Sequence, residues 1–215
     1  MTDQKIIELI EKEFKEKSLA VTEQYLEIHN PVYINNKLQV DRIDREAKDD
    51  VIIVYLPVVD ERFCFSVYIN LRSEEIISVG TESYNCVLFR ADSERFSLEE
   101  LSEMTSFKFT GGRNKGDKRG TTLWKESAIF FEPNPKADEF HDKLKKLLDL
   151  LESDRKGTKK LVKDADGYIQ VAMEIHNGNG MLCGPYIDKK EIRRMNDLGL
   201  SINFDLYVSG NSFKD

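Results

Sequence analysis

Cysteine is scarce in this chain and never clustered. Cys64, Cys86 and Cys183 are odd in number and scattered, so no close pair can ligate zinc or cycle between dithiol and disulfide, and reduced thiols in a cytoplasm are expected. Histidine is equally sparse. His29, His141 and His176 lie beside different predicted elements, none at the spacing of a metal-binding helix or a triad motif, which reads as surface or internally satisfied imidazoles. The N-terminal stretch lacks an uninterrupted apolar run, because acids break up Met1–Ile10, and neither a signal peptide nor a membrane span is expected there. A surplus of positive charge is also missing. With 39 acidic against 32 basic side chains the net charge is -7, so nucleic acid is not an expected partner and a basic one suits the chain better.

What is present is the composition of a folded protein, 40% hydrophobic and 33% charged over 215 residues, enough to bury a sizeable core. Thr2 or Asp3 can cap a helix whose apolar positions Ile6, Ile7, Ile10 and Phe14 recur at helical spacing. Beyond Asn30-Pro31, the β-branched and aromatic runs Val51–Leu56 and Arg62–Leu71 predict an antiparallel hairpin, with Ile76–Val79 as a third strand. From Tyr84 the pattern changes to strand, helix, strand. A strand near Asn85–Arg90 precedes a capping box at Ser97-Leu-Glu-Glu100, and a strand over Glu126–Glu132 precedes Asn134-Pro135, read as the cap and first residue of a long helix.

On that helix Phe140, Leu144, Leu147, Leu148 and Leu151 share one face, and Lys143, Lys145, Lys146 and Asp149 fall elsewhere. After a second helical stretch around Lys159–Lys163, a strand alternates Ile169, Val171, Met173 and Ile175, followed by the turn Asn177-Gly-Asn-Gly180. Asp188 then caps a helix with Ile192, Met195 and Leu198 on its face and Gly199 at its end. The last strand points Ile202, Phe204, Leu206 and Val208 inward and Asn203, Asp205 and Tyr207 outward. The expected fold is α+β. Residues 1–80 form a helix and meander, and residues 81–215 form two strand-helix-strand units in a mixed or antiparallel sheet with helices on one face.

The segment Lys108–Gly120 concentrates positive charge and leads to the single tryptophan, Trp124. Gly111-Gly-Arg-Asn-Lys-Gly116 has glycines spaced as in a phosphate-binding loop, but Asp117 and Lys118 stand where Lys and Ser/Thr are required, and no nucleophile or base accompanies it. Arg113, Lys115, Lys118 and Arg119 are therefore candidates for holding an acidic group, and Trp124 for anchoring an interface. Asp117 and Asp205 form a carboxylate pair only if the fold unites them, and Tyr207 is a possible lining residue beside Asp205.

Several of these features resemble the family described as domain of unknown function 4279: Leu98–Leu101, the Lys115-Gly116-Asp117 step before Trp124, the leucine-rich helix, and the ending Leu198–Tyr207 with its Asp205-Leu206-Tyr207. The resemblance spans roughly residues 84–210 and brings with it no established enzymatic activity; no cofactor is expected. Some members look like immunity proteins of bacterial toxin systems, which implies a cognate toxin as partner. The reading is a non-enzymatic bacterial binding protein that neutralises a toxin through an acidic surface. Its alternative is a small-molecule or anion-binding domain, or an enzyme, that uses the basic loop 108–120 and Trp124.

Overall fold

The computed structural model describes residues 1–47, 49–179, 182 and 184–214. Gly180, at the end of the expected Asn177–Gly180 turn, and Cys183 lie outside the described residues.

Helices α1 (Asp3–Glu16) and α2 (Ala20–Leu26) come first. Thr2 caps α1 by accepting from the backbone N–H of Lys5. A two-residue hairpin of β1 (Tyr33–Ile34) and β2 (Lys37–Leu38) follows. Then β3 (Arg42–Asp44), β4 (Val51–Pro57), β5 (Cys64–Asn70) and β6 (Glu75–Glu82) pair in chain order as an antiparallel sheet. Ile6, Ile10, Phe14 and Tyr25 from the helices meet Ile52, Val54, Leu56, Phe65, Val67 and Ile69 from the strands in one core. Each such side chain contributes about 1.5–3 kcal/mol when fully buried. The expected helix and meander are present, extended by one helix and one edge strand.

After Ser83 the chain leaves this sheet and enters a second one. It is built from β7 (Tyr84–Ser93), β8 (Gly111–Arg113), β11 (Ser127–Phe131), β12 (Tyr168–His176) and β13 (Ile202–Ser209), in the order β13-β12-β7-β11-β8. Between β8 and β11 a small hairpin of β9 (Lys118–Arg119) and β10 (Thr122–Leu123) stands outside the sheet. Helix α3 (Leu98–Ser102) connects β7 toward β8, α4 (Phe140–Ser153) and α5 (Arg155–Asp164) connect β11 to β12, and α6 (Lys189–Leu198) connects β12 to β13. A parallel neighbour requires a crossover, and α6 supplies it, so β12 and β13 pair in parallel. The other pairings are antiparallel. The sheet is therefore mixed, and both strand-helix-strand units are present: β7-α3-β11 and β12-α6-β13.

Residues at every second position of β7 and β12, together with Ile129 and Phe131 of β11, share a core with Leu101, the α4 leucines, Leu161, Met195 and Leu198. The helices thus cover this one face. The opposite face carries Arg90, Gln170, Glu174, Asn203 and Asp205 on alternate positions of the same strands. Helix α3 opens on the expected capping box: Ser97 Oγ accepts from Glu100 N, and the Glu100 carboxylate accepts from Ser97 N at 2.8 Å. Ser97→Ala is expected to lower stability by about 1 kcal/mol in urea denaturation, because one donor of the first turn loses its partner.

Four expectations are corrected. Asn134-Pro135 does not start α4; the helix begins at Phe140, and Asn134 Nδ2 instead donates to Asp138, closing a loop ahead of the helix. Lys143 is buried with the α4 leucines, its ammonium donating to Asn134 O at 3.0 Å, and burial lowers its pKa. On α6 the buried face is Glu191, Met195 and Leu198, while Ile192 is 51% exposed, because one turn back from Met195 falls on 191 rather than 192. Leu206 and Val208 lie beyond the helices on the edge strand β13 and are exposed.

Candidate functional site

The basic segment folds tightly around Trp124. Asn114 N donates to the Asp117 carboxylate at 2.7 Å, Gly116 N donates to Trp124 O, and Trp124 N donates to Asp117 O. Asp117 thereby organises a turn. Two guanidinium groups lie over the half-buried indole, Arg113 at 3.8 Å and Arg119 at 4.3 Å from the ring centroid. Arg113 also pairs with Asp92 at 3.2 Å, and burial together with the neighbouring Arg90 lowers its pKa. With Arg90 and Lys125 these side chains border a depression of about 390 Å³ on the face of the sheet that the helices leave open.

Lys115 is held to the loop by its own backbone, through Ser127 Oγ, and its ammonium reaches Glu94 O at 3.2 Å. Lys118 is exposed on β9. Asp205 and Tyr207 are on β13, and Asp205 accepts from Gln170 Nε2 at 3.1 Å. They do not join the basic cluster. Strands β13 and β8 are opposite edges of the five-stranded sheet, four strand spacings or roughly 19 Å apart. A cleft uniting Lys115, Asp117 and Asp205 is therefore not formed. A phosphate cradle is not formed either, because Gly111 and Gly112 lie in β8 and β9 follows instead of a helix.

A second site, unmarked in the sequence, lies where the two sheets meet. The end of β6 and the start of β7 (Thr81, Glu82, Ser83, Asn85), the entry to α4 (Glu139, Phe140, His141), Met173 and Ile175 of β12, and Gly184–Tyr186 enclose a cleft of about 460 Å³. Its lining holds two carboxylates, Glu82 and Glu139, and no lysine or arginine. Burial, reinforced by the Glu139 carboxylate, pushes the Glu82 pKa up to about 7, against an opposing hydrogen bond from Asn85 Nδ2 at 3.3 Å. Burial and the nearby Asp142 raise Glu139 as well. Asn85 is buried, its amide also donating to Asp138 O at 3.1 Å, and its carbonyl oxygen has no donor among the described residues. Phe140, Met173 and Ile175 give the cleft an apolar wall, and Tyr186, 74% exposed, stands at its rim.

The cleft is braced from behind by the wholly buried Asp138 carboxylate. Arg42 of β3 pairs with it, Lys146 of α4 donates to it at 2.8 Å, and Arg42 also pairs with Asp44 at 2.8 Å. A second brace between the halves is a pair of buried imidazoles, which the sequence placed apart: His29 Nε2 and His176 Nε2 are 2.9 Å from each other. Burial and the neighbouring imidazole lower the His29 pKa. The thiols of Cys64 and Cys86 are pushed up by burial to about 12 and about 11, which makes them poor nucleophiles.

These features define an α+β protein of two open sheets, with an acidic cleft at their junction and a basic, tryptophan-centred patch on the open face. A family model described as a domain of unknown function (DUF4279) matches residues 81–209, and the chain belongs to that family. All residues lining the cleft, and the whole basic patch, fall within the matched span. No curated protein and no solved structure matches the chain. Among the described residues, no helix is long and apolar enough to cross a membrane.

Proposed function

We propose that the protein is a non-enzymatic binding protein whose junction cleft receives a lysine or arginine side chain from a basic protein partner. The observation that carries this reading is a lining with two carboxylates and no lysine or arginine beside an apolar wall. An aliphatic stem would lie along Phe140, Met173 and Ile175, while its charged head met Glu82, Glu139 and the unpartnered carbonyl of Asn85. Tyr186 at the rim would add an aromatic anchor. The net charge of -7 would speed encounter with such a partner.

The partner proposed is a toxin encoded beside the gene, with this chain as its immunity protein. Glu82 gives the association a pH signature. A cation binds only the ionised form well, so affinity rises as pH increases through about 7. Binding to the neighbouring gene product, measured with EDTA present to remove competing divalent ions, is expected to weaken at least tenfold in the double variant E82Q/E139Q and to fall with added salt. Failure to bind or protect against that product would sink the reading.

A second reading is favoured by the stacking of Arg113 and Arg119 on Trp124: the basic patch binds an acidic group, such as a partner's carboxylates. Arg119→Glu would then weaken binding of an acidic partner and leave the cleft's cationic partner unaffected.

A further inference from the structure

Where α6 packs against α4, two carboxylates and an imidazole converge. Asp188 is the N-cap of α6, Glu191 is its third residue, and His141 is the second residue of α4. One ligand atom from each lies within 4.8 Å of the others. Glu191 is 2% exposed, yet its Oε2 has no hydrogen-bond partner among the described residues, and neither has the buried Nδ1 of His141. Asp188 spends only Oδ1 on capping, accepting from Lys190 N at 2.7 Å and Glu191 N at 2.9 Å. Neither carboxylate takes part in an ion pair among the described residues. The buried Glu191 is costly unless a third body meets it, because a buried carboxylate requires a donor or a counter-charge.

The other carboxylate cluster of the molecule makes the contrast. Asp44, Asp138 and Asp142 also converge, but Arg42 and Lys146 already supply the positive charge there. At Asp188 and Glu191 no lysine or arginine pairs among the described residues, and the groups facing Asp188 are the His141 imidazole and the Glu191 carboxyl.

We infer that His141, Asp188 and Glu191 form a binding site for a divalent transition-metal ion of the zinc type. One imidazole with two carboxylates is a mixed nitrogen and oxygen set, which suits zinc and its first-row neighbours better than magnesium or calcium. Bonds of roughly 2.1 Å in a tetrahedral site hold ligands about 3.4 Å apart, so closing around an ion takes side-chain rotations of about 1 Å from the separations seen. Three protein ligands leave a tetrahedral ion one position for water or an outside donor. Because His141 also lines the junction cleft, that position is close to the cleft wall. The inference does not depend on the cleft's proposed partner: it shares His141 with the cleft lining, but Asp188 and Glu191 are not part of that lining.

The test uses the full chain, stripped with EDTA and then titrated with Co²⁺ as a spectroscopic probe, with Zn²⁺ competing for the same site. One equivalent of Co²⁺ is expected to bind with visible ligand-field bands, to be displaced by Zn²⁺, and to raise the thermal midpoint. H141A and E191Q should each weaken Co²⁺ binding at least tenfold, and D142N, in the other cluster, should not. Glu191→Gln keeps the shape of a buried carboxyl that has an oxygen without a partner, so its metal-free midpoint should equal or exceed that of the wild type; if H141A fails to fold, E191Q still carries the test. Two results would overturn the inference. One is no stoichiometric uptake of Co²⁺ or Zn²⁺, which would assign the space to a proton shared by Asp188 and Glu191. The other is uptake unchanged in a folded E191Q. A failed E82Q/E139Q binding experiment would leave this result untouched.

Discussion

Glu82→Gln is expected to stabilise the protein at pH 8 by about 1–3 kcal/mol and to leave it nearly unchanged at pH 4.5. The sign follows from the direction of the shift. Glu82 has a folded pKa of about 7, above the ordinary 4.5, so the native state holds its proton more tightly than the unfolded chain does. Its contribution is intact below pH 4.5 and is lost as pH rises through 7, where the buried carboxylate must ionise beside Glu139. Glutamine keeps the oxygen that accepts from Asn85 Nδ2 and cannot ionise. His29, whose pKa is lowered, changes stability in the opposite sense near its ordinary value of 6.5. The comparison is therefore the difference between wild type and E82Q across pH, from urea or thermal denaturation, which cancels the histidine contribution. A flat difference between pH 4.5 and 8 would mean that Glu82 is as well solvated as a surface acid. The same property serves the proposed function, because a site that destabilises its own charge gains most when a cation arrives.

Arg42→Ala is expected to cost roughly 3 kcal/mol, the lower end of the effect of breaking a buried ion pair. The guanidinium is the link between β3 and the entry to α4: it pairs with the wholly buried Asp138, pairs with Asp44, and donates to Ala137 O at 3.3 Å. Truncation leaves Asp138 with Lys146, Asn134 and the backbone N–H of Glu139, which is why the loss falls at the low end. Asp41 also accepts from Ala137 N at 2.7 Å, so the two halves should loosen without separating. Hydrogen exchange is expected to accelerate at residues 134–140 before it does in the core of either sheet. Uniform acceleration through both sheets would instead make this contact part of one global unit.

Much of the fold was legible because it rests on local rules. The capping residues Thr2, Ser97 and Asp188 were read from spacing alone, as were the alternation of Ile169, Val171, Met173 and Ile175 and the left-handed stop at Gly199. Periodicity failed where tertiary partners decide. Lys143 occupies a core-facing position because Asn134 O accepts its ammonium, and no pattern of charges along α4 announces that. Leu206 and Val208 alternate as inward residues should, but only the first half of the edge strand, Ile202 and Phe204, packs on the helix-covered core.

The candidate sites divide in the same way. Charge density marked the basic segment, and the structure gathers Arg113 and Arg119 on Trp124. Asp205 and Tyr207 were joined to it through a conditional carboxylate pair with Asp117 and a shared family motif, and the sheet order puts them at the far edge. The junction cleft left no trace in the sequence. Glu82 and Glu139 are 57 positions apart, and Glu82 acquires its character from desolvation at the junction and from the nearby Glu139 charge. His29 with His176, and His141 with Asp188 and Glu191, are likewise products of packing, which scattered histidines do not advertise.

The most direct measurement is the affinity of wild type and E82Q/E139Q for the basic protein encoded beside the gene, by calorimetry at pH 6 and pH 8 with EDTA present. Wild type should bind several-fold, up to about tenfold, more tightly at pH 8 than at pH 6 and release a proton at pH 6, while the variant binds weakly at both. Equal affinity of wild type and variant, with no proton release, would contradict a cation-binding cleft.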